Sequence, residues 1–115
     1  DEETLTRYHK HCDELGLSAL VEAHDEEEIQ MAVRAGARII GVNNRNLKDF
    51  TVDIHNGIRL REKVPKEILF VAESGIKTRE NIVELEKGCV NAVLIGETFM
   101  RSENKEQMLQ QLKGE

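Results

Sequence analysis

Residues 35–46 read Ala35-Gly36-Ala37-Arg38-Ile39-Ile40-Gly41-Val42-Asn43-Asn44-Arg45-Asn46. A glycine able to stop a helix comes first, a short apolar run follows, and the run ends in polar residues. A later stretch repeats the plan: Lys87-Gly88-Cys89-Val90-Asn91-Ala92-Val93-Leu94-Ile95-Gly96. Near-continuous apolar runs without polar alternation suit strands buried on both faces, as in parallel sheets flanked by helices. Working outward from these two, similar runs occupy residues 18–22 and 68–73, so four strands are expected, at 18–22, 38–43, 68–73 and 92–96.

The intervening segments carry apolar residues at helical spacing. Residues 26–35 place Ile29, Ala32 and Val33 on one stripe, and residues 53–63 place Ile54, Ile58 and Leu60 less cleanly. Residues 79–87 carry Ile82 and Leu85, and residues 105–112 carry Met108, Leu109 and Leu112. Punctuation agrees. Asp25 can cap its helix with Glu28 as a capping-box partner. Thr78 can cap the third crossover helix. Gly16, Gly36 and Gly88 stand where a left-handed stop is useful, and Pro65 closes the remaining unit. A helical pattern also precedes the first strand, with Leu5, Tyr8, Cys12 and Leu15 on one face. The order is one helix and then four strand–helix units, an α/β class with right-handed crossovers and a parallel sheet. Both a small doubly wound sheet and half of a (β/α)₈ barrel fit this order.

The 115 residues suit one domain, here residues 1–115. The formal net charge is -6 and aromatic residues make up 3%, which argues against nucleic-acid binding. Acidic residues gather at helix starts such as Asp25-Glu26-Glu27-Glu28, the pattern of a solvated helix terminus. No apolar run approaches the roughly 20 residues of a membrane span. Cys12 and Cys89 form no CxxC pattern, and buried thiols in a reducing cytoplasm are expected. His9, His11 and His55 have no partner motif, so no metal site is expected, and no cofactor is implied. The chain opens inside a helical pattern without an initiator Met, which suggests a fragment.

Chemistry is expected at the strand ends. Each strand runs into polar or glycine residues: Glu22 and His24; Asn43, Asn44, Arg45 and Asn46; Glu73, Ser74 and Gly75; Gly96, Glu97 and Thr98. Parallel α/β proteins build their sites at the carboxyl edge of the sheet. Four such ends converging on one mouth are a stronger signal than any one alone. Gly75 and Gly96 each precede a helix start, where backbone N–H groups favour an anion; otherwise they only make tight turns. Glu22 could serve as a general base or be a solvated or ion-paired carboxylate. His24 is expected to point to the face opposite Glu22 and to be structural or loop-facing. Arg45 could clamp a carboxylate or phosphate, or pair with Glu73 across the mouth.

Four segments carry a resemblance. Ile40-Gly41-Val42-Asn43-Asn44-Arg45-Asn46-Leu47 is similar to the sixth-strand signature of indole-3-glycerol phosphate synthases. Leu20-Val21-Glu22-Ala23-His24 resembles their fifth strand, and Val71-Ala72-Glu73-Ser74-Gly75-Ile76 the seventh. The run from Asn91 to Arg101 resembles the eighth. They occur in order over essentially the whole chain. The resemblance implies the C-terminal half of a TIM (β/α)₈ barrel and a carboxy-lyase of tryptophan biosynthesis acting on a phosphorylated small molecule. That reaction converts 1-(2-carboxyphenylamino)-1-deoxyribulose 5-phosphate to indole-3-glycerol phosphate, with loss of carbon dioxide and water. By the same resemblance Glu22 would be the base or acid partner in dehydration. Asn43 and Arg45 would contact the anthranilate part and hydroxyls, and Glu73 and Ser74 would line the site. Gly75, Gly96 and the Glu97 backbone would hold the phosphate.

Two departures matter. Many members carry Ser or Thr where Glu97 stands; if a side-chain hydroxyl binds phosphate there, that contact is lost here, and a backbone contact would survive. The family's first-strand Glu and Lys and third-strand Lys have no counterpart, so the chain alone is expected to be inactive. Open sheet edges further imply either the missing N-terminal half or a second copy as partner. The competing expectations are a related phosphate-binding barrel enzyme of the same pathway, such as a phosphoribosylanthranilate isomerase, and a non-catalytic half barrel that binds phosphate or self-associates.

Overall fold

In a computed structural model, which describes residues 1–46 and 48–115, the described residues form ten elements. They are α1 (Glu2–Glu14), β1 (Val21–Ala23), α2 (Glu26–Arg34), β2 (Ile39–Asn43), α3 (Ile54–Arg61), β3 (Leu69–Glu73), α4 (Arg79–Lys87), β4 (Ala92–Leu94), α5 (Glu97–Arg101) and α6 (Lys105–Lys113). Leu47, the last residue of the sixth-strand signature, lies outside the described residues.

The four strands are parallel and stand in sequence order, β1-β2-β3-β4. That order decides between the two architectures the sequence left open. A doubly wound sheet reverses direction at a switch point and covers both faces. An unreversed order with right-handed crossovers puts every helix on one face. Burial agrees. Val21, Ala23, Ile40, Val42, Phe70 and Ala72 alternate along the strands and are buried. The first five join Ile29, Ala32, Val64 and Ile68 in one core, and Ala72 joins Ile54, Ile76 and Leu85 in a second. On the opposite face Leu69 is 50% exposed and Leu94 56%. The architecture is half of a (β/α)₈ barrel, with its inner face bare.

Most boundaries fall within two residues of expectation. The expected strand at 92–96 pairs only to Leu94, because β3 ends at its partner Glu73. There the backbone turns left-handed at Ser74 (φ 70°) and Gly75 (φ 75°). The first strand begins at Val21 rather than residue 18, opposite Ile40 in β2. A short helix, α5, precedes α6 in the last unit.

Four local expectations are corrected. Tyr8 and Leu15 are each 62% exposed, and α1 instead turns His9 inward, with Leu5 against the core. Glu28 leaves the capping box to hydrogen-bond with His24 Nδ1 at 3.1 Å, while its backbone N–H donates to Asp25. Gly88 is not left-handed (φ -80°); its Cβ would sit 3.0 Å from Ile58 Cγ2. The glycine there makes room for packing, and the left-handed step falls on Cys89 (φ 65°). Cys89 is exposed and Cys12 half-buried, so neither is the fully buried thiol expected. Thr78 does cap α4, in a reciprocal box with Asn81.

No helix among the described residues is long and apolar enough to cross a membrane. No group of three or more His, Cys, Asp or Glu side chains among them could hold a metal ion.

Candidate functional site at the carboxyl rim of the sheet

The strand register aligns the polar tips. Glu22 stands opposite Gly41, Asn43 opposite Glu73, and Glu73 opposite Leu94. These residues alternate with the buried set, so they share the bare inner face. Gly41 is what lets β1 and β3 communicate across β2. A Cβ there would lie 2.5 Å from Glu73 Oε2 and 3.2 Å from Leu20 Cδ1. The missing side chain leaves a slot into which the Glu73 carboxylate lies, toward Glu22.

Glu73 is 7% exposed, and its Oε2 is buried without a hydrogen-bond partner among the described residues. Burial, and then the Glu22 carboxylate, push its pKa up to about 6, against a smaller opposite pull from His24. Two carboxylates this close disfavour double ionisation. Once protonated, Glu73 has a hydrogen to donate to Glu22, which answers the orphaned oxygen.

The loops after β3 and β4 form the next part of the rim. A cleft of about 880 Å³ is lined by Arg45, Glu73, Ser74, Gly75, Lys77, Gly96, Glu97, Thr98 and Arg101, with apolar side chains between them. The Thr98 hydroxyl donates to the Ile76 carbonyl at 2.7 Å and ties the two loops together. A Cβ at Gly96 would meet nothing within 4 Å, so this backbone faces open space. Gly75 has a second duty: a Cβ there would collide with Val52 Cγ1. Val52 closes an antiparallel bridge with Arg45, so the loop after β2 leans on the loop after β3.

Arg45 does not reach Glu73. Its Nη2 donates to Glu97 Oε2 at 2.8 Å, and Arg101 Nη2 lies 3.0 Å from Glu97 Oε1. Asn43 accepts the Arg45 backbone N–H at 2.9 Å, which orients the start of the loop. Asn44 is buried and braces three segments. Its side chain donates to the Ser74 carbonyl at 3.1 Å and accepts from Gly57 N–H at 3.0 Å. Its own N–H donates to the Glu73 carbonyl at 2.7 Å.

The profile of the family described as indole-3-glycerol phosphate synthase matches residues 1–112. This chain belongs to the indole-3-glycerol phosphate synthase family. A family member from Lachnoclostridium phytofermentans is 60% identical over 97% of this chain and 41% of its own length. One from Leuconostoc mesenteroides is 60% identical over 99% of this chain and 44% of its own. The chain thus spans about two-fifths of the curated relatives it matches. Among solved structures, thiamine phosphate pyrophosphorylase from Pyrococcus furiosus superposes with a TM-score of 0.75 at 21% identity, over 96% of this chain and 52% of that one. The BexX/CysO complex of Amycolatopsis orientalis gives 0.73 at 17% identity, over 99% and 47%. At such identities the likeness concerns the fold, and both cover the chain with about half of a larger protein.

Within this family frame, the structure brings six of the eight candidate residues to one cleft: Arg45, Glu73, Ser74, Gly75, Gly96 and Glu97. Asn43 lines an adjoining polar cavity of about 640 Å³ that also borders Arg45. Glu22 lies on neither; it borders a separate cavity at the β1 edge and meets the others through Glu73. His24, expected on the face opposite Glu22, is exposed, hydrogen-bonds with Glu28 at 3.1 Å and lines the polar cavity with Asn43. The sequence reading missed Gly41, Lys77 and Arg101. Gly41 matters through strand register, which composition does not carry. Lys77 and Arg101 lie beyond the strand tips and reach the cleft only through the turns that follow.

Proposed function

We propose that residues 1–115 are one half-barrel domain of an indole-3-glycerol phosphate synthase, the C-terminal half. Closed by an N-terminal half, it converts 1-(2-carboxyphenylamino)-1-deoxyribulose 5-phosphate to indole-3-glycerol phosphate, with loss of carbon dioxide and water. The observation that supports this most is the juxtaposition of Glu22, Glu73 and Asn43 on the bare face beside a cleft edged by glycine backbone. Glu22 takes or returns a proton in dehydration. Glu73, its pKa pushed up to about 6 by burial and the Glu22 carboxylate, stands beside it. Asn43 and Arg45 meet the anthranilate part and hydroxyls, and Ser74 lines the site. Backbone N–H groups at Gly75, Gly96 and Glu97 receive the phosphate, in line with the usual place of phosphate in barrels. Soluble cytoplasmic residence goes with this assignment.

Ring closure needs a general acid at the carbonyl oxygen. Among the described residues no lysine ends a strand, and Lys77 lies four positions past β3, so the chain alone is inactive. The test is turnover by residues 1–115 alone and after co-folding with the N-terminal half of the Lachnoclostridium relative. The chain alone should give no product and the reconstituted barrel should give product. A Glu22→Gln change should then lower kcat by roughly 10²–10⁴. Product from the chain alone refutes the inactivity. A well-folded reconstituted barrel without turnover refutes the assignment.

A self-associating half barrel is the second reading, favoured by the exposed inner-face residues Leu20, Leu69 and Leu94. Sedimentation showing a stable dimer that excludes the N-terminal half supports it; a monomer that takes up that half does not.

A further inference from the structure

The proposed mouth contains a charge arrangement that the phosphate reading does not use. Glu97 is held from both sides, by Arg45 at 2.8 Å and by Arg101 at 3.0 Å. All three side chains line the same cleft. Arg45 comes from the loop after β2, and Glu97 and Arg101 come from α5, so the contact spans 52 positions in sequence. The Arg45 side chain is 32% exposed and that of Glu97 51%, so the trio stands at the cleft wall in contact with solvent. An arginine is suited to two-pronged recognition of a phosphate or carboxylate. Here the chain's own carboxylate already meets one nitrogen of each guanidinium group.

We propose that Glu97 is a specificity-determining residue: an internal anion that holds Arg45 and Arg101 and sets how tightly the cleft takes a phosphorylated ligand. A dianionic phosphate arriving in the cleft meets like charge from Glu97. To recruit either arginine it must draw the guanidinium away from that carboxylate. Glu97 thereby lowers affinity for a bare anion and leaves selection to ligands that make further contacts along the rim. The inference rests on the phosphate reading above, and the experiment separates the two.

Inorganic phosphate is titrated into the purified chain by isothermal calorimetry, for the unaltered chain, Glu97→Gln, Glu97→Ser, and Glu97→Gln combined with Arg45→Ala or with Arg101→Ala. Circular dichroism confirms the fold of each. Removing one like charge and freeing two guanidinium groups at a partly exposed site should tighten binding on the order of five- to tenfold. Glu97→Ser should do the same, and most of the gain should vanish in at least one of the double variants. Phosphate binding that is equal or weaker in Glu97→Gln overturns the proposal while the phosphate reading stands. A gain that survives both arginine replacements also overturns it, because removed charge alone then accounts for the effect. No binding to any folded variant removes the phosphate reading and the proposal with it.

Discussion

Replacing Glu73 by glutamine removes the buried carboxyl that faces Glu22 without changing its shape. Its folded pKa lies at about 6, above an unfolded value near 4.3. The folded state therefore holds this proton more tightly than the unfolded chain does. Below about pH 4 both states are protonated and this stabilisation is fully present. As pH rises through the folded pKa near 6, that stability is lost. Moving that pKa from about 4.3 to about 6 corresponds to at most about 2.3 kcal/mol, at about 1.36 kcal/mol per pH unit. Glu22 is exposed and its charge is screened, so about 1 kcal/mol is the expected effect. Relative to its value at pH 4, the stability difference between Glu73→Gln and the unaltered chain should move by about 1 kcal/mol in favour of glutamine by pH 8. In thermal melts this is about 4 °C for a domain of this size. Urea unfolding at pH 4, 5, 6, 7 and 8 measures it directly. The difference between the two proteins cancels the other carboxylates. A difference that is flat with pH, or that moves against glutamine as pH rises, refutes the account of this pair.

Other consequences concern the rim. Asn44→Ala should cost about 2–4 kcal/mol, because it strands the Ser74 carbonyl and the Gly57 N–H; urea unfolding checks this. Ser74 pays for a left-handed backbone without being glycine, so Ser74→Gly should raise stability by up to about 1 kcal/mol while weakening ligand binding, both visible in melts with and without product. Gly75→Ala meets Val52 and a positive φ together. It should lose about 2 kcal/mol or more, with the largest amide-shift changes between Arg45 and Val52.

Much of this was legible in the sequence for local reasons. Apolar runs marked the strands, and α4 begins at the expected residue because Thr78 caps it. The polar tips also named most of the rim, since a polar residue ending a buried strand needs a partner or a ligand. What the sequence hid depends on register and on contacts far along the chain. Strand order follows from which neighbours pair; helical and strand spacing left the half barrel beside a doubly wound sheet, and the four resembling segments pointed to the half barrel. Gly41 looks like any strand glycine until β2 is set between Glu22 and Glu73. Arg45 has Glu73 and Glu97 within conceivable reach, and only the turn after β4 selects Glu97. In α1 two stripes satisfy helical spacing, and the inward turn of His9, 3.7 Å from Asp13, is settled by packing rather than hydropathy.

The claim beneath all of this is that four parallel strands deliver their polar ends to one shared rim that receives the ligand. Amide chemical-shift mapping with indole-3-glycerol phosphate tests it most directly. The account predicts shifts gathered at Glu22–Ala23, Asn43–Arg45, Glu73–Ile76 and Gly96–Thr98. Shifts gathered at the opposite edge of the sheet, around Ala19, Arg38, Ile68 and Asn91, would contradict it.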